Sequence, residues 1–283
     1  MIEAWVSGAA TAAALAIAWF AHVRWIGWIP EDVANARRKQ HANAIPLIGF
    51  VPALASVIVC ALHDRPWLAA GCAVAGIVGF LDDRNKHAGD GIDWRAKAAG
   101  LVLASTLGWM SIEAPAPIDS VTALALWGCV FVIANAVNFL DNVHGVAATL
   151  GGLALWLGGD PTSIALAACW FAFLPFNWPH GRLFLGDSGA LSLGLLVGAT
   201  TASRAVATGV DPDWFAMIAP AAIFWVDFVQ VITARLWLGY APWVADRRHL
   251  THIAGNLGLP TWAQAPLFLA FAGSAHVVLS RFA

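Results

Sequence analysis

The chain has 283 residues, of which 60% are hydrophobic and only 11% are charged. Soluble domains carry about a quarter charged residues, so this composition excludes an ordinary water-soluble protein. The net charge of -2, with no basic stripe along the sequence, predicts no nucleic-acid partner. The long apolar runs instead predict an all-α, polytopic membrane helix bundle, and the 16 Trp residues suit the membrane–water boundary.

The apolar runs divide the chain into about ten candidate transmembrane helices. Several are shorter than the ~20 residues that a straight crossing needs, which predicts tilt or local thinning of the bilayer. No repeat of fixed period and no low-complexity linker is visible, so residues 1–283 are predicted to form a single domain. The candidate spans are 4–23, 45–62, 67–81, 98–113, 121–140, 146–159, 162–178, 189–203, 214–239 and 264–282.

The basic residues give the predicted orientation. Of the 15 Lys and Arg residues, only Arg65, Arg204 and Arg281 fall on one side of a ten-span bundle. Because cytoplasmic loops carry the excess of Lys and Arg, the other side is predicted to be cytoplasmic. Both termini then lie on the outer (periplasmic) side, as in a multi-pass protein of a bacterial inner (plasma) membrane.

Four polar clusters follow the third, fifth, seventh and ninth predicted spans, so all four fall on the predicted cytoplasmic side. Carboxylates, amides and paired histidines gathered at one membrane face indicate a phosphate-handling, metal-dependent active site. The clusters are Asp82-Asp83-Arg84-Asn85-Lys86, Asn135-x-x-Asn138-x-x-Asp141-Asn142, Gly186-Asp187-Ser188-Gly189 and Asp246-Arg247-Arg248-His249-x-x-His252.

The first cluster has two interpretations. Asp82 and Asp83 end the third span, where paired carboxylates can bind a cation, orient a phosphate through it or accept a proton. The alternative is a solvated loop start in which Asp82 pairs with Lys86 at i,i+4.

The asparagines of the second cluster follow i, i+3, i+7 spacing, which predicts that Asn135, Asn138 and Asn142 share one face of the fifth helix. Their amides can donate to a nucleotide or diphosphate, while the nearby Asp141 offers a hard oxygen ligand for Mg²⁺. Interhelical amide hydrogen bonding is the alternative.

The third cluster precedes the eighth span. Asp187 is either the N-cap of that helix or a ligand of a metal ion bridging to phosphate, since flanking glycines let a phosphate approach the backbone amides. Arg182 offers a further phosphate contact.

The fourth cluster carries His249 and His252, three residues apart, without a further His or Cys nearby to complete a zinc site. Phosphate or sugar contacts by the histidines and Arg247 are the favoured interpretation. Asp227, inside the ninth span, is expected to face the bundle interior or a wet cavity, either at the substrate or paired with Arg235.

In this order, the motifs resemble those of a known family, the polyprenyl-phosphate N-acetylhexosamine-1-phosphate transferases (glycosyltransferase family 4). The resemblance runs from about residue 24 to 252 and includes a predicted first cytoplasmic loop. The residues that carry it are Arg38-Lys39-x-His41 with Ile45-Pro46-x-x-Gly49, Gly79-Phe80-Leu81-Asp82-Asp83, Asn135-Ala-Val-Asn138-Phe-Leu-Asp141, Phe184-Leu-Gly186-Asp187-Ser188-Gly189 and Asp246-Arg-Arg-His249-Leu-Thr-His252.

The resemblance implies a ten-helix bundle with a cytoplasmic Mg²⁺ site, in which Mn²⁺ is an alternative ion. It implies transfer of a sugar 1-phosphate from a UDP-N-acetylhexosamine-type donor to a polyprenyl (undecaprenyl) phosphate with release of UMP, as the first membrane step of a cell-envelope glycan pathway. A homodimer is compatible with it. The implied catalytic residues are Asp82, Asp83, Asp141 and Asp187, with Asp141 and Asp187 as metal ligands and Asp82 and Asp83 positioning the acceptor phosphate or acting as base. The implied substrate contacts are Lys97, Asn135, Asn138, Asn142, Arg182, Arg247, His249 and His252.

The sequence departs from the family pattern at three places. His144 stands where the family usually has an acidic residue, Thr251 replaces a histidine, and Ala190 replaces a serine. Two other classes compete with the transferase. An ion-coupled secondary transporter would explain the intramembrane Asp227, and a catalytically silent relative would act as a scaffold for envelope assembly.

Overall fold

A computed structural model of the chain describes residues 2–24, 29–32, 44–86, 91–207, 209, 211–244 and 246–281. Most of these residues are helical, as expected of apolar segments that must satisfy their backbone groups internally in a bilayer. Within the described residues the helices are α1 (Ile2–Arg24), α2 (Phe50–Leu62), α3 (Pro66–Lys86), α4 (Trp94–Met110), α5 (Ser120–Leu140), α6 (Val146–Trp156), α7 (Pro161–Phe171), α8 (Leu174–Asn177), α9 (Gly186–Val206), α10 (Trp214–Ile218), α11 (Ala222–Trp237), α12 (Leu250–Asn256) and α13 (Thr261–Leu279).

The prediction of a multi-pass helical membrane protein is confirmed, and each predicted span contains a helix. The ten crossings and the placement of both termini outside stay predictions. In the described part of the chain, α2, α6 and the α7–α8 segment are apolar but shorter than a full crossing. Six segments there are long and apolar enough to cross a membrane: Ile2–Trp19, Pro66–Lys86, Ser120–Leu140, Gly186–Val206, Trp214–Trp237 and Thr261–Leu279.

The predicted start of the second span is wrong. Ile45–Pro46 forms a short strand, β2, that pairs antiparallel with β1 (Glu31–Asp32), and the helix begins only at Phe50. Pro46 holds the preceding residue in an extended conformation, which opposes a helix at this point. Extended backbone also joins this segment to the loop before α9, because Phe184 donates its amide to Pro46 and accepts from Ile48, both at 3.0 Å. The motif Arg38-Lys39-x-His41 lies outside the described residues.

Helix α9 is the centre of the bundle and is almost completely buried between α3 and α5. Glycines allow this close packing. A Cβ atom at Gly194 would lie 2.7 Å from Cα of Ala134 in α5, and one at Gly79 of α3 would lie 2.4 Å from the backbone of Asp187. Close helix approach through small residues is typical of membrane bundles. The packing brings the C-terminal ends of α3 and α5 beside the first turn of α9, at one end of the bundle.

Candidate active site

Asp83, in the last turn of α3, caps the start of α9. Its Oδ1 accepts from the backbone N–H of Asp187 at 2.9 Å, and its Oδ2 accepts from that of Ser188 at 3.1 Å. The first amides of a helix have no partner inside the helix, and a negative charge at that end is favourable. Gly186 leaves room for the carboxylate, since it has φ +62° and a Cβ there would lie 2.5 Å from Asp83 Oδ2. Asp83 therefore fixes the position of Asp187.

Two lysines bridge the carboxylates of α3 and α9. Lys86 Nζ lies 2.7 Å from Asp187 Oδ1 and 3.0 Å from Asp82 Oδ2. Lys97, in the first turn of α4, places its Nζ 3.0 Å from the same Asp82 oxygen and also hydrogen-bonds Asp187 Oδ2. The other oxygen of Asp82 accepts from the amide of Ile92 at 2.9 Å. The four charged side chains form one network, which we call the α3–α9 network.

The network leaves donors available at its surface. An ammonium group has three N–H donors. Lys97 donates to Asp82 and Asp187, whereas Lys86 donates to Asp187 and forms an ion pair with Asp82. The side chains of Lys86 and Lys97 are 42% and 26% exposed, so within the part of the chain that the structure describes each keeps a donor that can reach a ligand in solvent. A phosphate oxygen is a matching acceptor, because it is anionic and accepts several hydrogen bonds.

Asp141, the C-cap residue of α5, lies beside this network. Burial raises the pKa of Asp141 to about 8, and the nearby carboxylates of Asp187 and Asp83 act in the same direction. Among the described residues, no side chain or backbone amide donates a hydrogen bond to the Asp141 carboxylate. A cation at this position would offset the repulsion among the carboxylates.

A buried amide joins the loop that follows Asp141 to the loop that precedes α9. Asn177 Oδ1 accepts from the amide of Gly145 at 2.6 Å, and its Nδ2 donates to the carbonyl of Leu183 at 2.7 Å. His144 stacks on Phe184 in the same region, with ring centroids 5.1 Å apart. These contacts hold the end of α5 against the start of α9.

The donor set fits a hard divalent ion that is only partly held by protein. In the described portion of the chain, no three His, Cys, Asp or Glu side chains come together closely enough to hold a metal by themselves. Mg²⁺ is commonly bound by one or two carboxylates, with waters and substrate phosphates completing the octahedron. Two carboxylates in this region could contribute such oxygens: Asp141, to which no described residue donates, and Asp187, whose oxygens also accept from Lys86 and Lys97.

The histidine cluster forms a second group, fastened to α11 at two points. His249 Nδ1 lies 2.9 Å from Asp227 Oδ2, and the amide of Leu250 donates to Asp227 Oδ1 at 2.6 Å. Both oxygens of this fully buried carboxylate therefore have partners. The intramembrane Asp227, which would be explained by a transporter, instead holds the loop before α12 against α11. Of the two alternatives that the sequence left open for Asp227, pairing with Arg235 is not observed.

Arg235 instead binds the loop itself. Its Nε lies 3.1 Å from Asp246 Oδ2, and its Nη1 donates to the carbonyl of Pro242 at 2.6 Å. Burial opposes ionisation of Asp246, but hydrogen bonds from Arg235 and Arg248 outweigh it and lower the pKa of Asp246 to about 2. The loop is therefore held to the helix by charged groups at neutral pH.

The prediction that three asparagines share one face of α5 is wrong for Asn142, whereas Asn135 and Asn138 both lie in this helix three residues apart. Helix α5 ends at Leu140, so Asn142 lies in the turn beyond it, exposed, and donates back to the carbonyl of Phe139. Asn135 donates to Phe131 one turn earlier in its own helix. Asn138 is half-buried near the end of α5.

The remaining predicted substrate contacts differ in their surroundings. Arg182 and Arg247 are exposed and join neither group through any hydrogen bond or ion pair of the described residues. His252 is half-buried, its ring centroid lies 5.9 Å from that of His249, and burial lowers its pKa. The structure brings Asp82, Asp83, Asp187 and Lys97 into contact, with Asp141 adjacent; the chemical roles of all these residues stay predictions.

Three residues of the site were not assigned a role in it from the sequence. The sequence suggests Lys86 only as an i,i+4 partner of Asp82. A lysine close to two adjacent carboxylates is the feature that could have indicated its place in the site. Asn177 was missed, although an amide inside a predicted apolar span is itself a signal. Asp227 was recognised as unusual, but its contact with a histidine 22 residues later is not encoded in any local pattern.

Comparison with known proteins identifies the class. Residues 66–204 match the profile of glycosyl transferase family 4. The decaprenyl-phosphate N-acetylglucosaminephosphotransferase of Mycolicibacterium smegmatis is 31% identical over 260 residues, which cover 77% of this chain and 63% of that protein. A phospho-N-acetylmuramoyl-pentapeptide-transferase of Synechococcus sp. is 31% identical over 201 residues, 60% of this chain and 52% of that protein. An undecaprenyl-phosphate alpha-N-acetylglucosaminyl 1-phosphate transferase of Yersinia pestis is 29% identical over 266 residues, 78% of this chain and 68% of that protein.

The chain thus belongs to glycosyl transferase family 4, a family of membrane transferases. Within it, the relatives are polyprenyl-phosphate N-acetylhexosamine-1-phosphate transferases, and the resemblance of the ordered motifs to that group is confirmed. The chain spans 63% of the length of the mycobacterial relatives that it matches.

Proposed function

We propose that this protein transfers a sugar 1-phosphate from a UDP-N-acetylhexosamine-type donor to a polyprenyl phosphate, such as undecaprenyl phosphate, and releases UMP. The product is a lipid-linked sugar diphosphate, which would begin a cell-envelope glycan pathway. The observation that carries the proposal is the α3–α9 network, in which two lysines are held between Asp82 and Asp187 beside the carboxylate of Asp141. The relatives named for this reaction support it.

The reaction is a displacement at phosphorus. An oxygen of the lipid phosphate forms a bond to the β-phosphorus of the donor, and the bond from that phosphorus to the bridging oxygen breaks. The electron pair leaves with UMP. Because both reactants are anionic, catalysis depends mainly on positioning them and on offsetting their mutual repulsion.

The lysines of the network suit the second task. Among the described residues, Lys86 and Lys97 each keep a donor for a phosphate oxygen, while Asp82 and Asp187 hold the two ammonium groups in place. A pre-oriented donor need not reorganise when charge develops on the oxygens, which makes its stabilisation of the transition state larger than in water. Asp83 caps the start of α9 and thereby keeps the carboxylate of Asp187 within reach of both lysines.

Asp141 and Asp187 are the residues that would hold a Mg²⁺ ion, with Mn²⁺ as an alternative. When bound, such an ion neutralises charge on the donor diphosphate and stabilises the departing UMP. The reaction does not require a general base, because a lipid phosphate is already anionic near neutral pH; Asp82 and Asp83 are the candidates if a base takes part. The site is proposed to face the cytoplasm, following the distribution of Lys and Arg.

A reconstituted assay tests the proposal. Purified protein is incubated with Mg²⁺, polyprenyl phosphate and one UDP-sugar at a time, and UMP is measured. We expect UMP from at least one UDP-N-acetylhexosamine-type donor, and none when the polyprenyl phosphate is omitted. EDTA is expected to reduce the rate by at least 10²-fold, with recovery on excess Mg²⁺. UMP from no donor overturns the proposed reaction, and turnover that is insensitive to EDTA overturns the metal assignment.

A further inference from the structure

The ring of His249 is held by a carboxylate that lies on another helix. Asp227, in α11, is fully buried, as is most of His249 at the start of α12. An isolated charge in the interior of a membrane bundle is costly, so a buried carboxylate is expected to have partners. Asp227 has two, the imidazole Nδ1 at 2.9 Å and the backbone amide of Leu250 at 2.6 Å.

The contact between His249 and Asp227 bears on which imidazole nitrogen carries a hydrogen. An ionised carboxylate can only accept hydrogen bonds, so the nitrogen that faces it, Nδ1, must carry a hydrogen. Nε2 is then the only ring nitrogen of His249 left to contact a ligand. The ring also packs edge-on against Phe139, with centroids 5.7 Å apart, and Phe139 lies in the last turn of α5, two residues before Asp141.

We propose that Asp227 is a positioning residue that fixes the orientation and protonated nitrogen of His249, so that Nε2 alone serves the substrate. This inference rests on the proposed function. Asp227 touches no reacting atom in this account and acts through the imidazole. The Arg235–Asp246 pair holds the same loop independently, so the loop stays in place while Asp227 orients the ring.

A structural alternative needs to be separated from this role. Asp227 also accepts from the first amide of α12, so loss of this cap is the alternative explanation for any loss of activity in Asp227→Asn. Leu250→Pro is the matched control, because it removes that amide and leaves the Asp227–His249 contact. Proline is tolerated at the first position of a helix, and His249 already has φ -64° and ψ 154°, the extended conformation that a following proline requires.

Four variants form the activity test: Asp227→Asn, His249→Ala, the double variant, and Leu250→Pro. An asparagine has one acceptor oxygen and cannot serve both partners, so we expect Asp227→Asn to reduce UMP release about 10- to 100-fold, the usual effect of removing a partner that orients a functional histidine. The double variant is expected to match His249→Ala within about 2-fold, since the two residues act as a unit. Leu250→Pro is expected to stay within about 3-fold of the unchanged protein. The positioning role would be overturned if the rate losses of Asp227→Asn and His249→Ala multiplied in the double variant. It would also be overturned if Leu250→Pro lost as much activity as Asp227→Asn.

A spectroscopic measurement decides the same question without turnover. In protein labelled with ¹⁵N-histidine, the His249 signals are those lost in His249→Ala, and we expect a protonated Nδ1 that changes in Asp227→Asn. An Nδ1 without a proton in the unchanged protein contradicts the inference. If the unchanged protein releases no UMP from any donor, the proposed function fails while the nitrogen signals still decide the role of Asp227.

Discussion

Asp187→Asn is expected to reduce UMP release by about 10³-fold, equivalent to about 4 kcal/mol of transition-state stabilisation. The substitution keeps the size of the side chain but removes the charge that holds Lys86 and Lys97. Two partly buried ammonium groups then repel each other, with Asp82 as the described carboxylate that still contacts both, and one proposed metal ligand is lost. The rate is measured as UMP release at saturating donor and acceptor, with the thermal unfolding midpoint recorded for the same preparation.

Asp119→Asn is the matched control for that substitution. Asp119 is exposed at the first turn of α5, the end opposite Asp141, where its carboxylate accepts from the amides of Val121 and Thr122. Asparagine is an equally good N-cap, so the rate is expected to stay within about 2-fold of the unchanged protein. A rate for Asp187→Asn above about a tenth of the unchanged value would show that the network does not carry the chemistry.

Asp83→Ala is expected to be the most destabilising single substitution at the site. It leaves the buried amides of Asp187 and Ser188 at the start of α9 without acceptors. A charge-assisted hydrogen bond contributes about 1.5–3 kcal/mol and an unsatisfied buried donor costs about 1–3 kcal/mol, so a loss of about 3–5 kcal/mol of folding stability is expected. The measurement is unfolding in detergent, followed by the α-helical signal.

Asp83→Asn separates a structural role from a chemical one. Its single amide oxygen can serve one of the two backbone donors, so its unfolding midpoint is expected between those of Asp83→Ala and the unchanged protein. UMP release is expected to fall in the same order as stability. An unchanged unfolding midpoint combined with complete loss of UMP release would instead assign the carboxylate of Asp83 to the reaction, as acceptor-positioning group or base.

Much of the architecture could be predicted because membrane helices follow from apolar length alone. The predicted span 121–140 corresponds to Ser120–Leu140, and 189–203 lies inside Gly186–Val206. The predicted helix start was wrong where a proline or a short strand pairing opposed helix formation, as at Ile45–Pro46. The succession of spans and polar clusters predicts that Asp82, Asp141 and Asp187 meet at one end of the bundle, and the structure brings them together there. The side of the membrane on which that end lies stays a prediction.

The contacts within the site could not be predicted in the same way. Asp83 looks identical to Asp82 in sequence, yet one caps α9 and the other binds two lysines, because adjacent residues on a helix point about 100° apart. Which of them meets α9 depends on the close approach at Gly79, a property of the packed bundle. The same holds for Asn177 and Asp227, whose partners lie in other elements.

The most direct test of the account is binding of Mn²⁺, used in place of Mg²⁺ and followed by electron paramagnetic resonance with a UDP-N-acetylhexosamine present. The account predicts saturable binding that Mg²⁺ displaces and that Asp141→Asn and Asp187→Asn each weaken at least 10-fold. Unchanged Mn²⁺ binding in both variants would contradict a shared ion site between the ends of α5 and α3 and the start of α9.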